Sequence, residues 1–342
     1  MTPDRRAENG GLGPERFDAY VDRALYGPGG FYTVGGGAGR RGDFITSPEV
    51  GPLFGAVLAR ALAGEDVVIE AGAGRGTLAR AVRGAGFEGR WICVERSPVL
   101  RAEAAAAGFE VAGRLPEVAG AVVANELLDN LAFRLLERTV SGWAEVYVHD
   151  GREVLVAIEH DPAVEAEAGA RVPLQEQASA WVAEARARGP VLVFDYADTT
   201  ASLARRPWLE WVRTYRGHAC GGHPLEAPGT QDVTCEVAVD QLPVPARDRS
   251  QADWLEAHGL AELVEEGRRV WHERAHLADL AALRGRSRVG EGEALTDDTG
   301  LGAFRVLEWE AAGTRPSRAP TGPCGSVSSR DPGPRRSPPR VP

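Results

Sequence analysis

The chain has 342 residues, 43% of them hydrophobic, and a formal net charge of -10: enough apolar material for a large core, and too acidic a body for a nonspecific nucleic-acid binder. No run approaches the roughly eighteen apolar residues of a membrane span, and Met1 to Gly13 holds neither an apolar signal region nor a basic helix, so a cytoplasmic chain with no membrane and no nucleic acid among its partners is expected. The four cysteines form no Cys-x-x-Cys pair, which fits a reducing compartment, and all 39 basic residues are arginine, which points to a GC-rich, bacterial coding sequence.

The pattern predicts a short helix over Pro14 to Leu25, with Phe17, Tyr20, Val21 and Ala24 on one side. Tyr26 to Arg41 is a glycine-rich segment carrying Phe31 and Tyr32, suited to a surface loop or to a lid over a ligand. Gly42 to Glu49 reads as a helix entrance, with Ser47 as N-cap, Pro48 at the first helical position and Glu49 in the first turn. Val50, Leu53, Phe54, Val57, Leu58, Ala61 and Leu62 then recur at helical spacing and form a core-facing stripe.

Next comes Asp66 to Gly76, where a buried strand ends in Glu70 and passes into Gly72, Gly74 and Gly76, ahead of a helix from Thr77. Glycines at alternate positions let the backbone turn sharply and a ligand approach closely, and a helix N-terminus presents free N–H groups. The spacing is one residue tighter than the dinucleotide fingerprint, and an acid before the first glycine suits a cationic ligand better than a pyrophosphate. S-adenosylmethionine satisfies both conditions. A dinucleotide and a plain tight turn stay open on the loop alone.

Strand and helix alternate onward in the manner of a doubly wound sheet: strand Trp91 to Val94, helix Pro98 to Ala107, a short strand at Phe109 to Val111, strand Ala121 to Ala124. Glu95, at the end of the second strand, stands where a carboxylate can accept both hydrogen bonds of a ribose. Asn125, Glu126 and Asp129 follow the fourth strand, at the sheet edge where open α/β proteins bind ligands; on one helical turn Glu126 and Asp129 would converge on a cation, or simply start a helix. Alternation from Glu137 to Glu159 around Asp150-Gly151 predicts an inserted β-hairpin. A helix near Gln177 to Ala187 and a strand Val191 to Phe194, ending in Asp195 and Tyr196, return to the α/β pattern. The last stretch, 311–342, has eight prolines, six arginines and one acid, and reads as a disordered basic tail.

Gly42 to Glu49, Glu70 to Thr77, Ala124 to Asp129 and Asp195-Tyr196, followed by Tyr215 to His218, Pro228 to Thr234 and Phe304 to Leu307, occur in the order and at roughly the spacing of one family. The chain resembles the MidA-like S-adenosylmethionine-dependent methyltransferases, a family that includes a mitochondrial complex I assembly factor which symmetrically methylates a protein arginine. The resemblance covers about residues 15 to 310. It departs at Asp129-Asn130-Leu131-Ala132, where a proline is missing, and at Ala197, where the family has glycine. It implies a class I methyltransferase-like, Rossmann-like α/β domain over 63–310 with an insertion at about 133–188, preceded by a helical and loop extension with a lid over 1–62.

The implied activity is methyl transfer from S-adenosylmethionine, with a protein arginine as acceptor; a small molecule, another side chain, or a non-catalytic assembly role are the alternatives. A guanidinium is protonated and poorly nucleophilic, so acids that pin it and take its proton are needed, which makes Glu126, Asp129 and Asp43 the catalytic candidates. Glu70, the three glycines, Glu95 and Asn125 are assigned to the cofactor. Phe44, Glu49, Asp195, Tyr196 and His218 are assigned to the substrate, and Phe31, Tyr32 and Phe44 are candidates for a lid. His272-Glu273-Arg274-Ala275-His276 satisfies a zinc-protease pattern without an apparent third ligand, and His218, Cys220 and His223 form a second metal-like set; no metal is expected at either.

Overall fold

The computed structural model describes residues 13–37, 46–217 and 219–313. Seven strands build its central sheet: β1 (Val67–Ala71), β2 (Arg90–Val94), β3 (Glu110–Ala112), β4 (Ala121–Asn125), β5 (Val191–Asp195), β6 (Arg247–Ser250) and β7 (Arg305–Trp309). Their spatial order is β3-β2-β1-β4-β5-β7-β6. The first five are parallel, and β7 runs antiparallel to both of its neighbours. Val68, Ile69, Ile92, Val122, Val123 and Val193 are fully buried, as strands covered on both faces require.

The covering helices are read largely as expected. α1 (Phe17–Tyr26), α2 (Ser47–Val50), α3 (Pro52–Ala61), α4 (Thr77–Gly84), α5 (Pro98–Ala106) and α6 (Glu176–Arg186) precede a long hairpin of α7 (Leu260–Arg274) and α8 (Leu280–Thr296). On one face of the sheet Leu53, Phe54, Val57 and Leu58 of α3 join Leu78 and Val82 of α4, with Phe54, Phe194 and Trp254 stacked edge-to-face at 5.0 Å. On the other, Ala178, Val182 and Ala185 of α6 pack against Ile92, Val122 and Val193. β1 and β4 are neighbours, yet their outgoing connections lead to opposite halves of the sheet. That places a crevice at their carboxyl ends.

The structure corrects the helix entrance. The stripe from Val50 to Leu62 is not one helix: it breaks at Gly51, which is extended because Pro52 disfavours the helical region for its predecessor. The N-cap of α2 is Thr46, and Ser47 is the first helical residue, its hydroxyl donating to Gln251 Oε1 at 3.0 Å.

The hairpin Gly142–His149 and Arg152–Ile158 turns at Asp150-Gly151, both with positive φ. It is part of a larger sheet than the alternation implied, because Arg134–Thr139, Arg171–Leu174 and Glu15–Arg16 pair with Gly142–His149 or its neighbour. α1 packs on this sheet, with the Phe17 and Phe133 rings 5.5 Å apart. Of the basic tail, residues 314–342 lie outside the described residues.

Candidate active site

All three loop glycines have positive φ, at 72°, 52° and 72°. They divide the work. A Cβ on Gly72 would meet Leu127 at 3.1 Å and one on Gly76 would meet Phe109 at 3.2 Å, whereas around Gly74 there is open space. Gly72 and Gly74 line a cleft at the carboxyl ends of β1, β2 and β4; Gly76 does not, and instead caps the N-terminus of α4. Glu70, Glu95, Asn125 and Glu126 line the same cleft, together with Glu49. So do Tyr32, a lid candidate, and Tyr26, Leu100 and Asn130, which the sequence reading left unassigned.

Glu95 holds the loop itself. One carboxylate oxygen accepts from Gly74 N at 2.9 Å and the other from Ser97 N at 2.7 Å. Burial pushes its pKa up against these donors. Glu70 accepts from Trp91 Nε1 at 2.7 Å, and its burial raises its pKa to about 8. Asn125 donates to Glu126 Oε1 at 3.0 Å, while its buried Oδ1 has no hydrogen-bond partner. An acceptor left unpaired beside a glycine cradle with room above Gly74 fits a nucleoside cofactor that brings its own donors.

After β4 the chain does not enter a helix at Glu126. That residue has φ +51°, and the following 3₁₀ turn spans Leu128–Asn130, so Glu126 and Asp129 do not share a helical turn. Asp195 shapes the bend: Oδ2 accepts from Leu128 N at 2.9 Å and Asp129 N at 3.3 Å, and Oδ1 from Tyr196 N. It is completely buried and its oxygens are taken by backbone N–H groups, a placement that corrects its assignment to substrate contact.

Glu126 faces two spaces. It borders the cofactor cleft and also a second cleft formed with Tyr196, Arg213, Tyr215, Cys220, Glu236 and Phe304. The Tyr196 hydroxyl donates to Glu126 Oε2 at 3.4 Å. Burial, then the charge of Asp195, lifts Glu126 to about 8; burial, then Asp195 and Glu126, lifts Asp129 well above its usual range. Among the described residues no arginine or histidine makes an ion pair with Glu126, Asp129 or Asp195, and Asp129 Oδ1 is buried without a hydrogen-bond partner.

An aromatic wall closes the cofactor cleft. Tyr26 and Tyr32 stack at 5.2 Å; Tyr26 donates to Asn130 Oδ1, Tyr32 to Asp232 Oδ2, and Asn130 Nδ2 to Asp232 Oδ1. Tyr32 is therefore held rather than free to swing, and Phe31 is buried in the core beside α1. Two aromatics in a glycine-rich segment were the available signal. Their fixed partners, about a hundred or more residues away, were not. Asp43, Phe44 and His218 lie outside the described residues. The His272 and His276 imidazoles are exposed and on different elements, since α7 ends at Arg274. His223 packs edge-on against Trp208.

Residues 59–258, more than half of the chain, match the model of a family described as "Putative S-adenosyl-L-methionine-dependent methyltransferase". Among solved structures the chain is similar to a Burkholderia thailandensis protein crystallised with S-adenosyl-homocysteine, at 27% identity, a TM-score of 0.73 and 88% coverage of each chain. A native crystal structure from the same organism is similar at 26% identity and TM-score 0.71, again over 88% of each chain. No curated protein matches.

Proposed function

The chain belongs to this family of S-adenosyl-L-methionine-dependent methyltransferases, and from that premise we propose that its methyl acceptor is an arginine side chain of a protein. The strand order and the antiparallel β7 are those of a class I methyltransferase, and the cofactor is S-adenosylmethionine. One observation carries the choice of acceptor: Glu126, Asp129 and Asp195 form an acid cluster to which, among the described residues, no arginine or histidine makes an ion pair, at the point where the cofactor cleft opens into a second cleft. A guanidinium fits that charge and that place.

Gly72, Gly74, Asn125, Glu70 and Glu95 would hold the cofactor, which when bound supplies an electrophilic methyl group on a sulfonium and a good leaving group. The chain's own task is orientation and proton removal. Glu126 is the proton acceptor, supported by Tyr196 and Asn125, and Asp129 adds negative charge behind it. An arriving guanidinium stabilises both ionised carboxylates and lowers their pKa values, so binding itself creates the base. Glu49 borders the cofactor side of the junction and Asp43 precedes it in sequence as a third acid. A second reading, a small acceptor with an anionic group, is favoured by Arg213, whose guanidinium lies 5.9 Å from the Tyr196 ring in the second cleft.

The test is transfer of labelled methyl groups from S-adenosylmethionine into cell extract, followed by mass spectrometry of the labelled fraction. Label on protein arginine supports the first reading. Label confined to small molecules supports the second, and absence of any transfer by a protein that binds the cofactor would establish a non-catalytic role.

A further inference from the structure

Glu70 stands one residue before the end of β1, lines the cofactor cleft and is only 4% exposed. Its neighbours across the sheet are Cys93 on β2 and Val123 on β4. Oε2 is fixed by β2: it accepts from Trp91 Nε1 at 2.7 Å and from Cys93 Sγ at 3.9 Å. Among the described residues no hydrogen bond reaches Oε1, and no arginine or histidine makes an ion pair with this carboxyl. The other charged groups of the cleft are engaged elsewhere. Glu95 accepts from Gly74 N and Ser97 N, Glu126 from Asn125 and Tyr196, and Arg75 turns to Glu103 at 3.1 Å and to Gly35 O. Glu49 is half-buried in the first turn of α2. Burial, the largest influence on Glu70, favours its protonated form, as does the charge of Glu95; the Trp91 and Cys93 hydrogen bonds and Arg80 on α4 favour the ionised one, and burial prevails.

The cofactor before and after transfer differs at the reacting atom by one positive charge, a sulfonium against a neutral thioether. We propose that Glu70 tells the two apart, protonated in the empty cleft and ionised when the sulfonium enters, so that the methyl-bearing form is held and the spent form is released. This rests on the cofactor assignment and is independent of the acceptor. On entry the O–H bond of the Glu70 carboxyl breaks and its proton passes to water, with no change of oxidation state. After transfer the ionised carboxylate is left buried beside a neutral ligand and under the charge of Glu95, and it takes a proton back from water. Reprotonation removes the attraction that favoured the cationic form. A glutamine at this position keeps an acceptor for Trp91 and cannot make the distinction.

The test is titration calorimetry of the full chain with S-adenosylmethionine and with S-adenosylhomocysteine, each in phosphate and in Tris at about pH 7, which counts the protons exchanged on binding. S-adenosylmethionine should release about 0.8 proton or more, and S-adenosylhomocysteine under about 0.3. Glu70→Gln should bind both, release no proton with either, and prefer S-adenosylmethionine about tenfold less than the wild type does at pH 8.5. Glu126→Gln should keep the proton release. Equal release by the two ligands in the wild type overturns the proposal without recourse to a variant. So does a Glu70→Gln protein, shown by thermal melt to be folded, that keeps the wild-type preference or loses both ligands alike, and so does a release that vanishes in Glu126→Gln instead. Failure of the wild type to bind either ligand defeats the cofactor assignment itself, and this proposal with it.

Discussion

Glu126 adopts a left-handed conformation that costs a non-glycine residue on the order of 1 kcal/mol, and it does so at the junction of two clefts. The strain is sustained by Asp195, whose carboxylate grips the next turn of backbone, and by Glu126 N donating to Phe194 O at 2.8 Å. With burial holding Glu126 at about 8 in the free protein, the ionised base becomes more populated as pH rises. kcat/KM should therefore increase with pH through about 8, and the inflection in kcat should lie lower, because a bound cation favours the carboxylate. Glu126→Gln should lose roughly 100-fold or more in kcat and lose that inflection while cofactor affinity, measured by calorimetry, changes little. Glu70 gives a stability prediction of definite sign. Its folded pKa of about 8 lies above the ordinary value, so the folded state binds the extra proton; its contribution is fully present below pH 4.5 and is lost as pH rises through 8. Glu70→Gln keeps an acceptor for Trp91 and removes the buried charge. It should stabilise the protein at pH 9 by an amount on the order of 5 kcal/mol, read as a raised melting temperature, and change it little at pH 4.5.

Among the elements, the break between α2 and α3 shows what a sequence conveys and what it withholds. Pro48 and Pro52 both announce helix starts, yet the apolar spacing runs through them and conceals the interruption. The interruption is organised from far away: Glu291 on α8 accepts from Leu53 N at 2.9 Å and from the Ser287 hydroxyl at 2.6 Å, and a Cβ on Gly51 would sit 2.2 Å from its carboxyl carbon. Glu291→Ala should strand a buried donor at the first turn of α3 and cost about 2 kcal/mol, visible as a melting temperature lower by about 3 °C. Glu291→Gln, which keeps one acceptor, should cost less than half as much. The same reasoning explains the other elements. Central strands were legible because two-sided burial leaves short apolar runs ending in Glu70, Glu95 or Asn125. Arg134–Thr139 and Arg171–Leu174 were not, because Arg134 and Arg171 are half or fully buried through ion pairs with Glu145, Glu137 and Glu153, a partnership no local pattern displays. The cofactor loop was legible for the opposite reason: its chemistry is local.

Across the whole molecule, one hydrogen-bonded joint connects three distant parts of the chain beside the cofactor cleft. Tyr26 and Tyr32 come from the N-terminal segment, Asn130 from the turn after β4, and Asp232 from the strand Asp232–Cys235 that follows the second cleft. Each acceptor is buried, so removing one donor leaves another group unpaired, and the losses should not add. Tyr32→Phe and Asp232→Asn each break the Tyr32 contact, and their combined cost should fall short of the sum by at least about 0.5 kcal/mol, read as cofactor affinity. Saturating S-adenosylmethionine, at about 100 times its Kd, should stabilise the wild type by about 2.7 kcal/mol, and the variants by less at the same concentration because their cleft wall is no longer preorganised. Strictly additive losses in affinity would mean that the wall is only packing, and that the N-terminal segment shapes the cleft without being coupled to it.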